Sequence, residues 1–166
     1  MFAMLHEANR NPEGMTDMIS RWALAAAAFA VAAAATTVLA QSDPIAARMA
    51  LMKGNNDNAR NVVQMIRGQQ PFDAAKVDAA FAQWAETAQK LPGLFPDNSK
   101  TGEKTRAAPA IWDNKKDFDQ KAAEFAKAVA DNRARAKASL DGLKAAMNPV
   151  GDACDNCHKD YRLSQR

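Results

Sequence analysis

Residues 140–161 read LDGLKAAMNPVGDACDNCHKDY. Leu140, Leu143, Met147, Val150, Cys154, Cys157 and Tyr161 recur three and four residues apart in this stretch. That period places them on one stripe of an α-helix, because residues three and four apart lie one above the other on its surface. A half-buried strand would instead alternate with a period of two, and no such alternation is present. Pro149 lacks a backbone N–H and clashes with the preceding turn, so it is expected to kink or locally break this helix.

Three more stripes of the same kind lie upstream. The first follows Asp43, a capping residue, and Pro44, which suits a first helical position. It runs through Ile45, Met49, Met52, Asn56, Ala59, Val63 and Ile66 to a stop at Gly68. Its middle, Gly54 to Asn58, is poor helix-forming material and predicts a weak turn there. The second is capped by Asp73, carries Val77, Phe81, Trp84, Ala88 and Leu91, and ends at Pro92-Gly93. The third begins near Pro109 and carries Ile111, Phe118, Ala122, Phe125 and Val129. Residues 92–109 form the one long irregular connection. Four helices with narrow apolar stripes predict an all-α, antiparallel four-helix bundle. Trp84, Trp112, Phe81, Phe118 and Phe125 read as bundle core.

The chain has 166 residues, enough for one domain, and its 22 basic against 19 acidic side chains leave a formal charge of +3. That balance is too mild to argue for nucleic acid. Lys115-Lys116 and residues 133–137 read as solvated helix faces, or as a basic rim that steers an acidic redox partner.

The apolar run from Trp22 to Ala40 follows Arg21 and ends in Val38-Leu39-Ala40, a small-residue pattern that signal peptidases accept. Residues 1–40 are therefore expected to be an export signal, leaving residues 41–166 as the mature domain. The alternative is an uncleaved membrane anchor, since the run is long enough to span. Its many alanines are weakly apolar, which favours cleavage. Glu7, Glu13 and Asp17 do not suit a basic leader, whereas Met18-Ile19-Ser20-Arg21 does, so translation is expected to start at Met18 or Met15.

Cys154-Asp155-Asn156-Cys157-His158 is a C-x-x-C-H motif, the attachment pattern of c-type haem. On a helix both thiols share a face, so both can reach one edge of a single haem, and His158 can ligate its iron. Because the cysteines lie in the apolar stripe, the haem would enter the bundle interior. Other readings fit less well. A structural zinc site needs four ligands and the motif supplies three. A thioredoxin-like pair expects a βαβ setting. A disulfide leaves His158 without a role.

The chain also resembles the class II cytochromes c, the family of cytochrome c′ and cytochrome c-556. The resemblance rests on residues 48–53, 68–73, 91–96, 109–112, 143–146 and 157–162, in that order along the mature chain. It implies a periplasmic four-helix bundle with one covalent haem c on Cys154 and Cys157, and His158 as proximal ligand. Arg162, one turn further, would lie near the proximal face. With His6 in the leader, His158 is the sole histidine of residues 41–166, which excludes bis-histidine ligation. The methionines there are Met49, Met52, Met65 and Met147. Met52 falls at the family's distal position, Met49 beside the haem edge, and Met147 reads as core filler. In the c-556 branch a distal methionine ligates iron and the protein carries one electron between periplasmic redox partners. In the c′ branch the site stays open and binds diatomic gases, notably nitric oxide. Arg48 resembles the c′ arginine that contacts a haem propionate. The resemblance also makes a homodimer plausible. No acid/base pair near the motif suggests a turnover enzyme.

Overall fold

The computed structural model describes residues 43–102 and 105–164. The leader and start-codon expectations lie outside these residues. Within them, four long helices follow the four apolar stripes. Helix α1 spans Pro44–Ile66 and α2 spans Ala74–Lys90. A short α3, Ala110–Asp113, precedes α4, Lys115–Ala138, and α5 spans Leu140–Tyr161. No helix among the described residues is long and apolar enough to cross a membrane.

The helix ends obey local chemistry. Asp43 accepts from the Ile45 N–H at 2.9 Å, and Asp73 accepts from Ala75 and Lys76 at 3.0 and 3.1 Å. Each cap satisfies amide groups that have no partner within the helix. Gly68 ends the first hairpin in the left-handed region, at φ +70°, where a side chain would be strained. A single residue, Ser139, joins α4 to α5. Its hydroxyl accepts from Gly142 at 3.0 Å, and a Cβ on Gly142 would come within 2.2 Å of the Arg135 carbonyl oxygen. The α4–α5 joint is therefore closed by the absence of a side chain.

Four expectations need correction. Helix α1 is continuous through Gly54–Asn58. Its middle is held by α2, where Trp84 donates to the Asn55 carbonyl at 3.3 Å and Thr87 to the Asn55 side chain at 2.8 Å. The buried stripe of α1 is also rotated: Arg48, Val62 and Met65 are buried, whereas Met49 and Asn56 are exposed. Apolarity alone misled there, because the buried residue of the first turns is an arginine. The third stripe is interrupted at Asn114, whose non-helical backbone (φ −132°, ψ 52°) separates α3 from α4. Finally, of the two outcomes expected at Pro149 the local break does not occur, since α5 is helical on both sides of it. Pro149 and Ala145 are both exposed, so the carbonyl that proline leaves unpaired faces water.

The interior falls into two apolar clusters. The larger holds Val62, Met65, Val77, Phe81, Trp84, Val129, Leu143 and Val150 in the middle of the bundle. The smaller holds Leu91, Ile111, Phe118 and Tyr161, with Met52, Phe95, Trp112 and Cys157 packed against it. Each fully buried side chain of this size contributes roughly 1.5–3 kcal/mol. Edge-on rings knit the smaller cluster, with Phe95–Phe118 centroids 4.8 Å apart and Phe118–Tyr161 5.3 Å apart.

The connection from α2 to α3 is ordered by two short 3₁₀ turns, Leu91–Leu94 and Asp97–Ser99. Its far end is stapled to the end of α5. Ala107 and Arg162 form an isolated antiparallel bridge, Ala108 donates to the Tyr161 carbonyl at 3.0 Å, and Leu163 donates to that of Arg106 at 2.8 Å.

Candidate functional site

A cavity of about 650 Å³ lies between the two clusters. Trp84, Ala88, Phe125 and Val150 of the larger cluster form one part of its wall, and Leu91, Ile111, Phe118 and Tyr161 of the smaller another. Bundle interiors pack to crystal density, with few voids larger than a water molecule. An apolar-walled cavity of this size is therefore built to hold a ligand, and cofactor sites in bundles have this location.

Its reactive groups come from two helices. Helix α5 brings Cys154, Cys157 and His158 to the wall, and α1 brings Arg48, Met49 and Met52. All six residues singled out from the sequence thus line one cavity. Met52 is half-buried and packs against the smaller cluster, as Cys157 does. Met49 is 40% exposed and belongs to the rim. Met147 lines the cavity from the core side, and Met65 is buried away from it. Of the aromatics, Trp84, Phe118 and Phe125 are wall residues, Phe81 is core, and Trp112 is half-buried, donating to the Phe95 carbonyl at 3.0 Å.

Protonation suits covalent attachment and metal ligation. Both cysteines are free. Burial pushes the Cys154 thiol up to about 11, with Asp155 and Cys157 adding to the rise. Burial also raises Cys157, against an opposing pull from Lys121. Both are thiols at neutral pH. Burial lowers the His158 imidazole below its ordinary value, Arg162 lowers it further, and Asp155 opposes the fall. The neutral imidazole is the form that ligates a metal. Among the described residues no group of three or more His, Cys, Asp or Glu is arranged to hold a bare metal ion. Two thiols and an imidazole on one wall, a thioether on another and apolar surface between them fit a haem.

Arg48 is tied down more fully than the sequence implied. It is 4% exposed. One terminal nitrogen donates to the Leu94 carbonyl at 3.0 Å and to Ser99 Oγ at 2.9 Å. The other donates to the Ser99 carbonyl at 2.9 Å and to Thr105 Oγ1 at 2.8 Å. Its guanidinium also lies 4.7 Å from the centre of the Phe95 ring. Burial draws its pKa down, and Asp43 draws it back. Arg48 thus organises the α2–α3 connection that forms part of the cavity wall.

Other wall residues escaped sequence reasoning. Phe95, Thr105 and Arg106 come from the irregular connection, which has no periodicity to reveal which side chains turn inward. Tyr161 was legible as a stripe residue, but its partner was not. It donates to Asp117 at 2.5 Å, and burial and that carboxylate push its pKa up to about 12.

The family model described as Cytochrome C′ matches residues 43–162. A cytochrome c-556 of Rhodopseudomonas palustris is 42% identical over 132 residues, covering 77% of this chain and 88% of its own. A cytochrome c′ of the same organism is 37% identical over 127 residues, covering 76% and 86%. The solved structure of cytochrome c′ from Rhodopseudomonas palustris superposes with a TM-score of 0.71 at 36% identity, covering 76% of this chain and all of that one. With its four-helix bundle and a haem c cofactor, the chain belongs to the class II cytochrome c family, the family of cytochromes c′ and c-556.

Proposed function

We propose that this chain is a one-electron carrier of the periplasm, with Cys154 and Cys157 as the thioether anchors, His158 as the proximal ligand and Met52 as the distal ligand. The observation that carries this reading is the position of Met52. It is a half-buried methionine lining the same cavity as Cys157 and His158, and it comes from a separate helix. Bound haem c supplies the Fe(III)/Fe(II) couple. The chain's own contribution is to hold and shield that group. Trp84, Leu91, Ile111, Phe118 and Phe125 exclude water, and apolar surroundings together with a thioether ligand favour the reduced state. Arg48 braces the connection behind Phe95. Nothing in this arrangement needs a general base, so the protein is read as a carrier and not as a turnover enzyme. The export signal expected over residues 1–40 supports the periplasmic assignment.

A second reading is a five-coordinate protein that binds nitric oxide. It is supported by the 37% identity to a cytochrome c′ and by the incomplete burial of Met52.

The absorption spectrum of the holoprotein separates the two. The carrier reading expects sharp low-spin bands after dithionite reduction, little response to carbon monoxide, and conversion to a high-spin, gas-binding form in Met52→Ala. A wild-type protein that is already high-spin and binds carbon monoxide would replace the carrier reading with the second one.

A further inference from the structure

A second recess adjoins the cavity. It is open to solvent, encloses about 290 Å³, and is lined by Arg106, Asp155, His158, Lys159 and Arg162 with the chain at 163–164. Arg106, Asp155, His158 and Arg162 line both spaces, so the recess and the cavity share one wall. Three cationic side chains therefore face a single carboxylate, and all three are exposed.

These three charges differ from several other basic groups of the surface, and Arg60, Arg67 and Lys116, unpaired among the described residues, lie outside the recess. Arg133 and Lys137, expected to form part of a basic rim, are both paired with Asp78, at 2.8 and 3.4 Å. Lys115 is paired with Asp119, Lys127 with Asp131 at 2.5 Å, and Lys121 with Asp160 at 3.4 Å. Among the described residues, Arg106, Lys159 and Arg162 make no ion pair. Arg106 is instead oriented by donating its Nε and Nη2 to the Leu163 carbonyl at 3.1 and 2.8 Å. Uncompensated cations on a protein surface raise the local potential and steer acidic partners into contact.

We propose that the face formed by Arg106, Lys159 and Arg162 is the docking surface for an acidic redox-partner protein. The proposal rests on the carrier reading. Charge complementarity selects the occupant. A small anion held in the recess would meet Asp155 directly, whereas a broad acidic patch can engage the three exposed cations and leave that carboxylate in solvent. A partner seated here lies against His158, one of the four residues common to both spaces, so the docking face is also a short route to the redox centre.

The test is the rate at which an acidic electron donor, flavodoxin hydroquinone, reduces the ferric holoprotein in stopped flow. At an ionic strength of about 10 mM, where charges act over roughly 30 Å, the combined Arg106→Gln, Lys159→Gln and Arg162→Gln variant should react about tenfold more slowly than wild type. The difference should close near 1 M salt. A variant losing three exposed charges at the other end of the bundle, Arg67→Gln with Lys76→Gln and Lys144→Gln, should keep most of the rate. The cationic donor hexaammineruthenium(II) should react no more slowly with the first variant than with wild type. Arg106 and Arg162 line the cofactor cavity as well, so the reduction potential of each variant is measured and rates are compared at equal driving force, which separates docking from an effect through the haem. Equal slowing in the two variants would mean that net charge governs encounter, and would overturn the proposal. Saturable inhibition by inorganic phosphate at constant ionic strength would reassign the recess to a small anion and overturn it as well. Failure of the carrier reading has a separate signature, a high-spin, gas-binding spectrum in the wild-type protein.

Discussion

Arg48 commits four N–H contacts to one stretch of connecting chain while nearly fully buried. A buried cation is tolerated only when its donors are satisfied, and here carbonyls and hydroxyls of the connection do that work together with the Phe95 ring. Replacing it should be costly, because the same carbonyls would be left without a partner in a closed setting. Arg48→Gln is expected to lower the unfolding free energy of the holoprotein by roughly 2–4 kcal/mol, by loss of charge-assisted hydrogen bonds from a buried site. Urea denaturation followed by circular dichroism measures this. A loss within experimental error would show that the connection stands without its arginine. The same scale holds the chemistry of attachment. Cys154 and Cys157 were readable from spacing alone, since any helix puts positions three apart on one face. The half-burial of Met52 was not readable, because it depends on which neighbours the smaller cluster supplies.

Helix α5 shows why element boundaries and element continuity come from different causes. Its stripe residues are buried or half-buried as spacing predicts, from Leu143 to Tyr161. Its continuity through Pro149 depends on solvent reaching the turn at Ala145, a property of the folded surface. The converse holds at Asn114, where a stripe that reads as continuous is cut by one non-helical residue. The joint between α4 and α5 is one residue long and closely packed. A methyl group on Gly142 would meet the Arg135 carbonyl, which is backbone and cannot swing aside. Gly142→Ala should therefore destabilise the protein by about 1–3 kcal/mol, the usual range for overpacking, although alanine is the better helix former. Thermal unfolding of the purified holoprotein reads the effect. A raised melting temperature would mean that the joint opens without cost.

At the scale of the whole molecule, charge pairs link helices that the stripes alone leave free to slide. Arg133 of α4 holds Asp78 of α2 through two hydrogen bonds, at 2.8 and 3.0 Å, and Lys137 joins from one turn further on. Hydrogen bonding from Arg133, with help from Lys137, lowers the Asp78 carboxyl to about 2. A carboxylate whose pKa is lower in the folded than in the unfolded chain adds stability above its unfolded value of about 4 and loses it as pH falls towards the folded value. The stability difference between wild type and Asp78→Asn should thus be present at pH 7 and shrink between about pH 4 and pH 2. Denaturant titrations at neutral and acid pH provide the comparison. A gap that stays constant across that window would assign the difference to packing.

The amino-acid sequence by itself determined the helical periods, the caps at Asp43 and Asp73, the stop at Gly68 and the attachment motif at Cys154, Cys157 and His158. Each of these depends on contacts within a few residues along the chain, so spacing and residue type suffice. Tertiary structure alone decided which face of α1 turns inward, how the irregular connection closes the cavity, and which basic groups remain unpaired. Those outcomes depend on what another helix presents across the interior. Asn55 gains Trp84 and Thr87, Arg48 gains Ser99 and Thr105, and Arg133 gains Asp78. Each of these contacts joins residues tens of positions apart, and no local period carries that information.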